Sequence, residues 1–385
     1  MSLEISRLCQ SIAPSVTLKI NAMAAQLRDK GQDIISLGAG EPDFDTPAFI
    51  RDAAKAALDA GETRYTAASG TPALRRSVCD FLRQEKGLTY RPDQVLICTG
   101  AKQALLNAFV AMLNPGDEVI LPAPCWVSYP EMIAMAGGKA VWVEAAEAEG
   151  FVPPIERIRA AVTERTKAIL LNSPNNPTGA VWTREQLLAV GQLAVEKDIY
   201  LISDEIYDQL VYDGAEAVSV ASLSPAIYAR TLMVNGWSKA YAMTGWRLGY
   251  LVCPEYVMER LLLLSAGTIA AVPTFIQAAG VAALDQDTRP MRDTYRRRRD
   301  YVAARLDRMG LTYPAPEGAF YVFPDIRRYG LSSDEFCTRL IREGGLAAVP
   351  GSCFGAEGHI RLSYCYSDPQ LQTALDRLEA FLGKL

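Results

Sequence analysis

The stretch Val95-Leu-Ile-Cys-Thr-Gly-Ala-Lys-Gln-Ala-Leu-Leu-Asn-Ala-Phe-Val-Ala-Met112 changes its hydrophobic period partway along. Val95–Thr99 is a short apolar run that reads as a buried strand. From Lys102 to Met112 the apolar residues recur at helical spacing. Gly100 stands between them, where a tight turn suits a residue without a Cβ. This strand–turn–helix unit repeats outward along the chain. Further apolar runs are Glu118–Leu121, Ala140–Val143, Ala168–Leu171, Tyr200–Ser203, Thr231–Val234 and Gly249–Cys253. Helical patterns such as Arg184–Glu196 fill most of the gaps. The alternation predicts an α/β fold with a mostly parallel sheet flanked by helices. Ligands of such sheets sit beyond the carboxyl ends of the strands, so the loops after these runs hold the candidate chemistry.

The ends of the chain read differently. Residues 17–30 and 291–308 carry amphipathic helical patterns. A helix is expected over 333–343, a strand at His359–Tyr364 and a last helix from Pro369. The length of 385 residues suits about two domains. The expected division is a large α/β domain over 46–285 and a smaller α+β domain from 1–45 and 286–385. Leu261–Leu284 lacks charge and is long enough to span a bilayer, but Ser265, Gly267, Pro273 and Gln277 interrupt it. Buried core beside a site is the expectation there. Arg296–Arg299 reads as a solvated helix face rather than a phosphate patch.

Composition removes whole classes of function. A net charge of -5 gives no reason to expect nucleic acid or an anionic membrane as a partner. The eight cysteines are scattered without a C-x-x-C pair, which fits a reducing cytoplasm rather than a zinc site or disulfide framework. The first residues show no basic start before an apolar run, so no signal peptide is expected. The single histidine, His359, sets aside Ser-His-Asp hydrolysis and multi-histidine metal sites, and it reads as structural. No bound metal is expected.

Six segments carry the chemistry. In Asn235-Gly-Trp-Ser-Lys-Ala-Tyr-Ala-Met-Thr-Gly-Trp-Arg-Leu-Gly249, Lys239 falls just beyond a strand among small and aromatic residues. Partial desolvation there favours its neutral, nucleophilic amine, with Ser238 and Arg247 as phosphate contacts. A surface lysine near a glycine-rich turn is the plainer alternative. After Val95–Thr99, the free N–H groups at the helix start near Gly100 form an anion site, or simply an ordinary turn. In Ser203-Asp-Glu-Ile-Tyr207, a buried Asp204 needs a cationic partner such as a protonated pyridine nitrogen. It could equally open a helix, with Tyr207 in the core. Asn176, in Leu171-Asn-Ser-Pro-Asn-Asn-Pro-Thr-Gly179, could donate to a ligand from a rigid loop or sit in a plain turn. Trp126, in Pro124-Cys-Trp-Val-Ser-Tyr-Pro130, could stack on a flat ring or pack in the core. In His359-Ile-Arg-Leu-Ser-Tyr364, alternation puts Ile360, Leu362 and Tyr364 on one face and Arg361 on the other. An arginine in a short strand invites a bidentate carboxylate. Together these parts suit pyridoxal-phosphate chemistry.

With these motifs the chain resembles the fold-type-I pyridoxal-phosphate aminotransferases, and among them the prokaryotic-type aspartate aminotransferase group. The likeness runs over essentially the whole chain. It includes Ala39-Gly-Glu-Pro-Asp-Phe-Asp-Thr-Pro47, Tyr65-Thr66, Gly318-Ala-Phe-Tyr321 and Arg361-Leu-Ser363 besides the segments above. The resemblance implies that Lys239 forms the Schiff base with pyridoxal 5'-phosphate and then shuttles the proton at the substrate Cα. It implies that Asp204 keeps the pyridine nitrogen protonated, that Asn176 and Tyr207 donate to the ring's phenolic oxygen, and that Trp126 stacks on the ring. Gly100, the main-chain N–H groups of Ala101 and Lys102, Ser238 and Arg247 would hold the phosphate, with Tyr65 reaching across a homodimer whose sites lie at the interface. Arg361 would bind the substrate α-carboxylate near Gly40, and Trp126 and Asn176 would also line the substrate. Ser15, Thr17 and Lys102 stand where the group reads an acidic side chain, which favours aspartate and glutamate with a 2-oxo acid such as 2-oxoglutarate. Ala13 replaces a usual basic residue and Ile269-Ala-Ala-Val-Pro273 a usually polar stretch, leaving prephenate, aromatic or broad specificity open. A lyase or synthase on the same fold is the competing reaction. A ligand-sensing regulator lacks its expected basic N-terminal domain.

Overall fold

The computed structural model describes residues 4–11 and 16–385, with the side chains of 7, 11, 16–19 and 21 left outside the description. The described residues form twelve strands. They are β1 Ile35–Ser36, β2 Val95–Cys98, β3 Glu118–Ala123, β4 Lys139–Glu144, β5 Thr166–Asn172 and β6 Tyr200–Asp204. Then follow β7 Thr231–Gly236, β8 Gly249–Val252, β9 Tyr321–Val322, β10 Leu346–Ala347, β11 Val349–Pro350 and β12 Ile360–Ser363. Each of the seven apolar runs became a strand of one seven-stranded sheet, in the order β2-β8-β7-β6-β5-β3-β4. Neighbours from β4 to β7 pair in parallel, and β8 runs antiparallel to both β7 and β2.

Both faces of this sheet are covered, which is why its strands read as continuous apolar runs rather than alternating ones. In β2, Leu96 and Cys98 pack under helix Gly100–Met112 while Val95 and Ile97 face the opposite side. In β3, Val119 and Leu121 join Leu105 and Phe109, whereas Ile120 joins Leu187 and Leu193 of helix Arg184–Lys197. The edge strand β4 exposes Lys139 and Glu144, charges that discourage pairing with another chain. A second sheet, β11-β12-β9, is antiparallel, and β1 pairs with β10. Ile360, Leu362, Phe320, Leu340 and Phe381 form its core with helices Ser333–Glu343 and Asp368–Leu382.

Three expectations need correction. Leu261–Leu284 is not one buried stretch: it divides into helices Glu255–Thr268 and Thr274–Ala283, with Pro273 opening the second. Leu263 in the first helix is 66% exposed and Ile269, just past its end, 45%, so apolar side chains of this stretch meet solvent. Among the described residues no helix is long and apolar enough to cross a membrane. Arg296–Arg299 is a solvated face only in part, because Arg298 is buried and clamps Asp43 with two bonds of 2.7 and 2.8 Å. No helix opens at Asp204; the chain turns there, and Ile206 N–H donates to its Oδ1 at 3.2 Å.

Candidate active site

Strand direction assembles the site. The carboxyl ends of β2, β3, β5, β6 and β7 lie along one edge of the sheet, and the amino end of β8 reaches the same edge. Asp204 ends β6, the helix that opens just past β2 carries Ala101 and Lys102, and the loops leaving β3, β5, β6 and β7 carry Trp126, Asn176, Tyr207 and Ser238 with Lys239. Arg247 stands two residues before β8, and Arg361 comes from β12 of the second sheet. A cavity of about 710 Å³ opens among them. Its lining includes Gly40 and every residue just named.

Lys239 is partly buried, and its Nζ donates to the Gly40 carbonyl oxygen at 2.6 Å. Burial pulls its pKa down to about 8, with Arg361 and Arg247 assisting against Cys365 and Glu41. Asp204 shares the cavity. Burial pushes its carboxyl up to about 6, while hydrogen bonds from Tyr129 and the Ile206 N–H hold it down from going further. An acid and an amine with pKa values drawn toward neutrality in one cleft mark a functional site.

Asn172, at the end of β5, ties this arrangement together. Its side chain accepts from the Asn176 N–H at 3.0 Å and donates to the Asp204 carbonyl at 3.1 Å. The Asn176 side chain accepts in turn from Arg361 Nη1 at 2.9 Å. Arg361 Nη2 donates to the Gly38 carbonyl at 2.6 Å, and the guanidinium lies over the Tyr321 ring at 4.5 Å. Its buried Nε has no hydrogen-bond partner, and no carboxylate pairs with it among the described residues. A cation held this way is ready for an anion from outside the chain. The Tyr207 and Tyr321 hydroxyls bond each other at 2.8 Å, and burial pushes both well above the ordinary tyrosine range.

At the other end of the cavity, helix Gly100–Met112 presents its unpaired first-turn N–H groups. Gly100 has φ +79, and a Cβ there would collide with the Arg247 guanidinium. Arg247 itself is held at φ 54, a left-handed conformation that non-glycine residues adopt at a cost, and its Nη1 donates to the Thr244 carbonyl at 2.9 Å. A glycine turn, free helix N–H groups, Ser238 and an arginine make a cradle whose donors suit a phosphate. Lys102 Nζ donates to the Ser128 hydroxyl at 3.2 Å and lies over the Trp126 ring at 4.9 Å, and burial lowers its pKa.

Not every expected residue meets here. Tyr65 does not line the cavity and is 93% exposed, though Thr274 and Gln277 hold the neighbouring backbone and Thr66. Ser15 and the Thr17 side chain lie outside the described residues. Sequence reasoning missed Asn172, Tyr129 and Tyr321 as site residues, although each stands inside a quoted motif. His359 stacks on Phe323 at 5.2 Å between ring centres, consistent with a structural part. Glu147, Asp325 and His359 bring ligand-type atoms within 4.8 Å of one another, but Arg327 already bridges the two carboxylates.

The profile of the family "Aminotransferase class I and II" matches residues 32–378. An aspartate/prephenate aminotransferase of Thermus thermophilus is 46% identical over 99% of both chains. An aspartate aminotransferase of Bacillus subtilis is 40% identical over 99% of this chain and 100% of its own. The structure of a Thermus thermophilus aspartate aminotransferase with maleate superposes with a TM-score of 0.94 at 45% identity, covering 99% of this chain and 100% of that one.

Proposed function

The chain belongs to the class I and II aminotransferases, and from that premise we propose that it moves an amino group between an acidic L-amino acid and a 2-oxo acid. Aspartate or glutamate is the proposed donor and 2-oxoglutarate an acceptor, with pyridoxal 5'-phosphate as cofactor. The observation that carries this reading is the joint placement of Lys239, Asp204 and Arg361 around one cavity. When bound, pyridoxal phosphate supplies a carbonyl that exchanges with amines and a ring that accepts the electron pair released at the substrate Cα.

The rest is done by the chain. Gly100, the Ala101 and Lys102 N–H groups, Ser238 and Arg247 would hold the phosphate. Asp204, with its pKa of about 6, is mostly ionised at neutral pH and would hold a proton on the ring nitrogen of the bound cofactor. Asn176 and Tyr207 would donate to the ring's phenolic oxygen, and Trp126 would stack on the ring. Lys239, with its pKa near 8, has a useful neutral fraction at physiological pH. It would serve as the nucleophile that anchors the cofactor and as the base that takes the proton from the substrate Cα. Arg361 fixes the α-carboxylate and Gly40 backs it, which orients the Cα–H bond toward Lys239.

Lys102 supports an acidic side chain as the preferred one, since it is a cavity cation with no carboxylate paired to it among the described residues. The maleate bound to the Thermus relative is likewise a dicarboxylate. The name of the Thermus thermophilus aspartate/prephenate aminotransferase makes prephenate a second candidate acceptor. A homodimer is proposed because the Tyr65 ring projects into solvent from an anchored segment, and because Leu263 and Ile269 are exposed apolar side chains. Residues 46–285 and the pair 1–45 with 286–385 are proposed as two lobes, with Arg361 from one and Lys239 from the other. An assay of aspartate with 2-oxoglutarate tests the reading: oxaloacetate and glutamate are expected, and release of alanine with CO2, or of fumarate with ammonia, in place of glutamate would assign a lyase.

A further inference from the structure

Glu205 and Asp208 flank Asp204 and Tyr207 in sequence but do not line the cavity. Their carboxylates turn the other way, into a closed space where each is about 4% exposed or less. Lys86 meets them there. It is the last residue of helix Pro72–Lys86, where Gly87 at φ +64 ends the helix, and a lysine at that point would ordinarily reach into water. Instead its side chain is 5% exposed, with Nζ 3.0 Å from Glu205 Oε2 and 2.7 Å from Asp208 Oδ2.

Two further bonds of the cluster lead back toward the site, from Ser203 and Asn235, and one leads away, from Ser219. Ser203 and Ser219 hydroxyls donate to Glu205 Oε1 at 2.9 and 2.7 Å. Asn235 Nδ2 donates to Asp208 Oδ2 at 2.8 Å, and its Oδ1 accepts from the Gly236 N–H. Asn235 lies four residues before Lys239. The Asp208 carboxylate therefore ties the turn bearing Asp204 and Tyr207 to the strand end that leads to Lys239, and the Lys86 ammonium holds that carboxylate together with Glu205 from the end of helix Pro72–Lys86. Its charge matters as well, because two carboxylates and one ammonium leave a single negative charge behind Asp204.

We propose that Lys86 is a positioning residue for this site, fixing the Asp204–Tyr207 turn against the Lys239 loop and cancelling one of two buried negative charges behind Asp204. The inference rests on the functional reading above. Asp204 is faced by Tyr129 from helix Ser128–Met135, by Lys239, by Tyr207 and by Glu205. The cluster itself is faced by Tyr90, Tyr241 and Tyr250, whose hydroxyls burial keeps protonated. Glu205 is the group in this set whose field raises the Asp204 pKa, and the Lys86 ammonium is its counter-charge.

The experiment compares three proteins: wild type, Lys86→Met and the neutral triple variant K86M/E205Q/D208N. For each, pyridoxal phosphate affinity of the cofactor-free protein is measured from pH 5 to 9 by tryptophan fluorescence, alongside thermal denaturation. In wild type the acid limb of affinity is expected near the Asp204 pKa of about 6. Lys86→Met leaves an uncompensated carboxylate, so the limb should move up by about one pH unit. The triple variant lowers the negative charge behind Asp204 from one to none, so its limb should lie below that of wild type. A limb unmoved in folded Lys86→Met, or shifted upward equally in the triple variant, overturns the proposal and leaves Lys86 as a stability element. If Lys86→Met does not fold, the triple variant decides: a downward shift supports the proposal and an unmoved limb overturns it. Absence of cofactor binding by wild type would instead overturn the functional reading itself.

Discussion

Tyr129 donates its hydroxyl hydrogen to Oδ2 of Asp204 across 2.7 Å, and both groups are closed off from water. The same tyrosine meets the Trp126 ring edge-on at 5.3 Å, so it braces both the proposed ring-stacking residue and the proposed ring-nitrogen acid. A bond donated to a buried carboxylate stabilises the ionised form. Tyr129→Phe keeps the ring but removes that bond. Asp204 should then titrate above its present value of about 6, and cofactor affinity at neutral pH should fall roughly tenfold. Fluorescence titration of the cofactor-free protein measures it, and an unchanged affinity would show that the hydroxyl does nothing for Asp204.

Asp204 also has a stability cost. Its folded pKa is raised from 3.8 to about 6, so the folded chain holds the proton more tightly than the unfolded one. Without cofactor, stability therefore falls as pH climbs from about 4 to about 6, and the full cost of about 3 kcal/mol persists above that. Asp204→Asn should be more stable than wild type at pH 8, with the advantage fading toward pH 4, while its cofactor affinity drops. Urea unfolding at the two pH values checks this. A variant less stable than wild type at pH 8 would contradict it.

Arg361 is held by Asn176 and Gly38 with its planar fork facing the cavity. Lysine would keep the charge and lose the two-point grip on a carboxylate. For Arg361→Lys the KM of amino acid and 2-oxo acid should rise about thirtyfold or more, with cofactor affinity within about twofold of wild type. Steady-state kinetics over both substrates reads the split, and a parallel loss of cofactor would assign Arg361 to the wrong ligand.

Lys102 tests the substrate class. In Lys102→Met, kcat/KM for aspartate should fall about tenfold or more, while that for phenylalanine changes by less than about threefold. Equal losses for the two donors would mean that Lys102 serves the cofactor alone.

Much of this was legible from residues alone, for reasons that can be named. Strands buried on both faces must be apolar throughout, so β2, β3, β5, β6, β7 and β8 stood out, and their direction placed the site. Two-residue strands such as β1 and β10 carry too little pattern to see. Lys86 was invisible because it reads as a helix-end lysine, and what buries it lies 119 residues further along. Tyr129 and Tyr321 look like core aromatics until the fold shows which atoms their hydroxyls meet. The apolar run at Leu261–Leu284 misled because uncharged residues fill either a core or an exposed face, and only neighbours decide which.

The most direct test of the central claim is oxaloacetate formation from aspartate and 2-oxoglutarate by the cofactor-loaded protein and by Lys239→Ala. Wild type should form oxaloacetate and glutamate in equal amounts, and Lys239→Ala should lose at least about a thousandfold in rate. A wild-type protein that forms none, or a Lys239→Ala variant that keeps pace with it, would contradict the account.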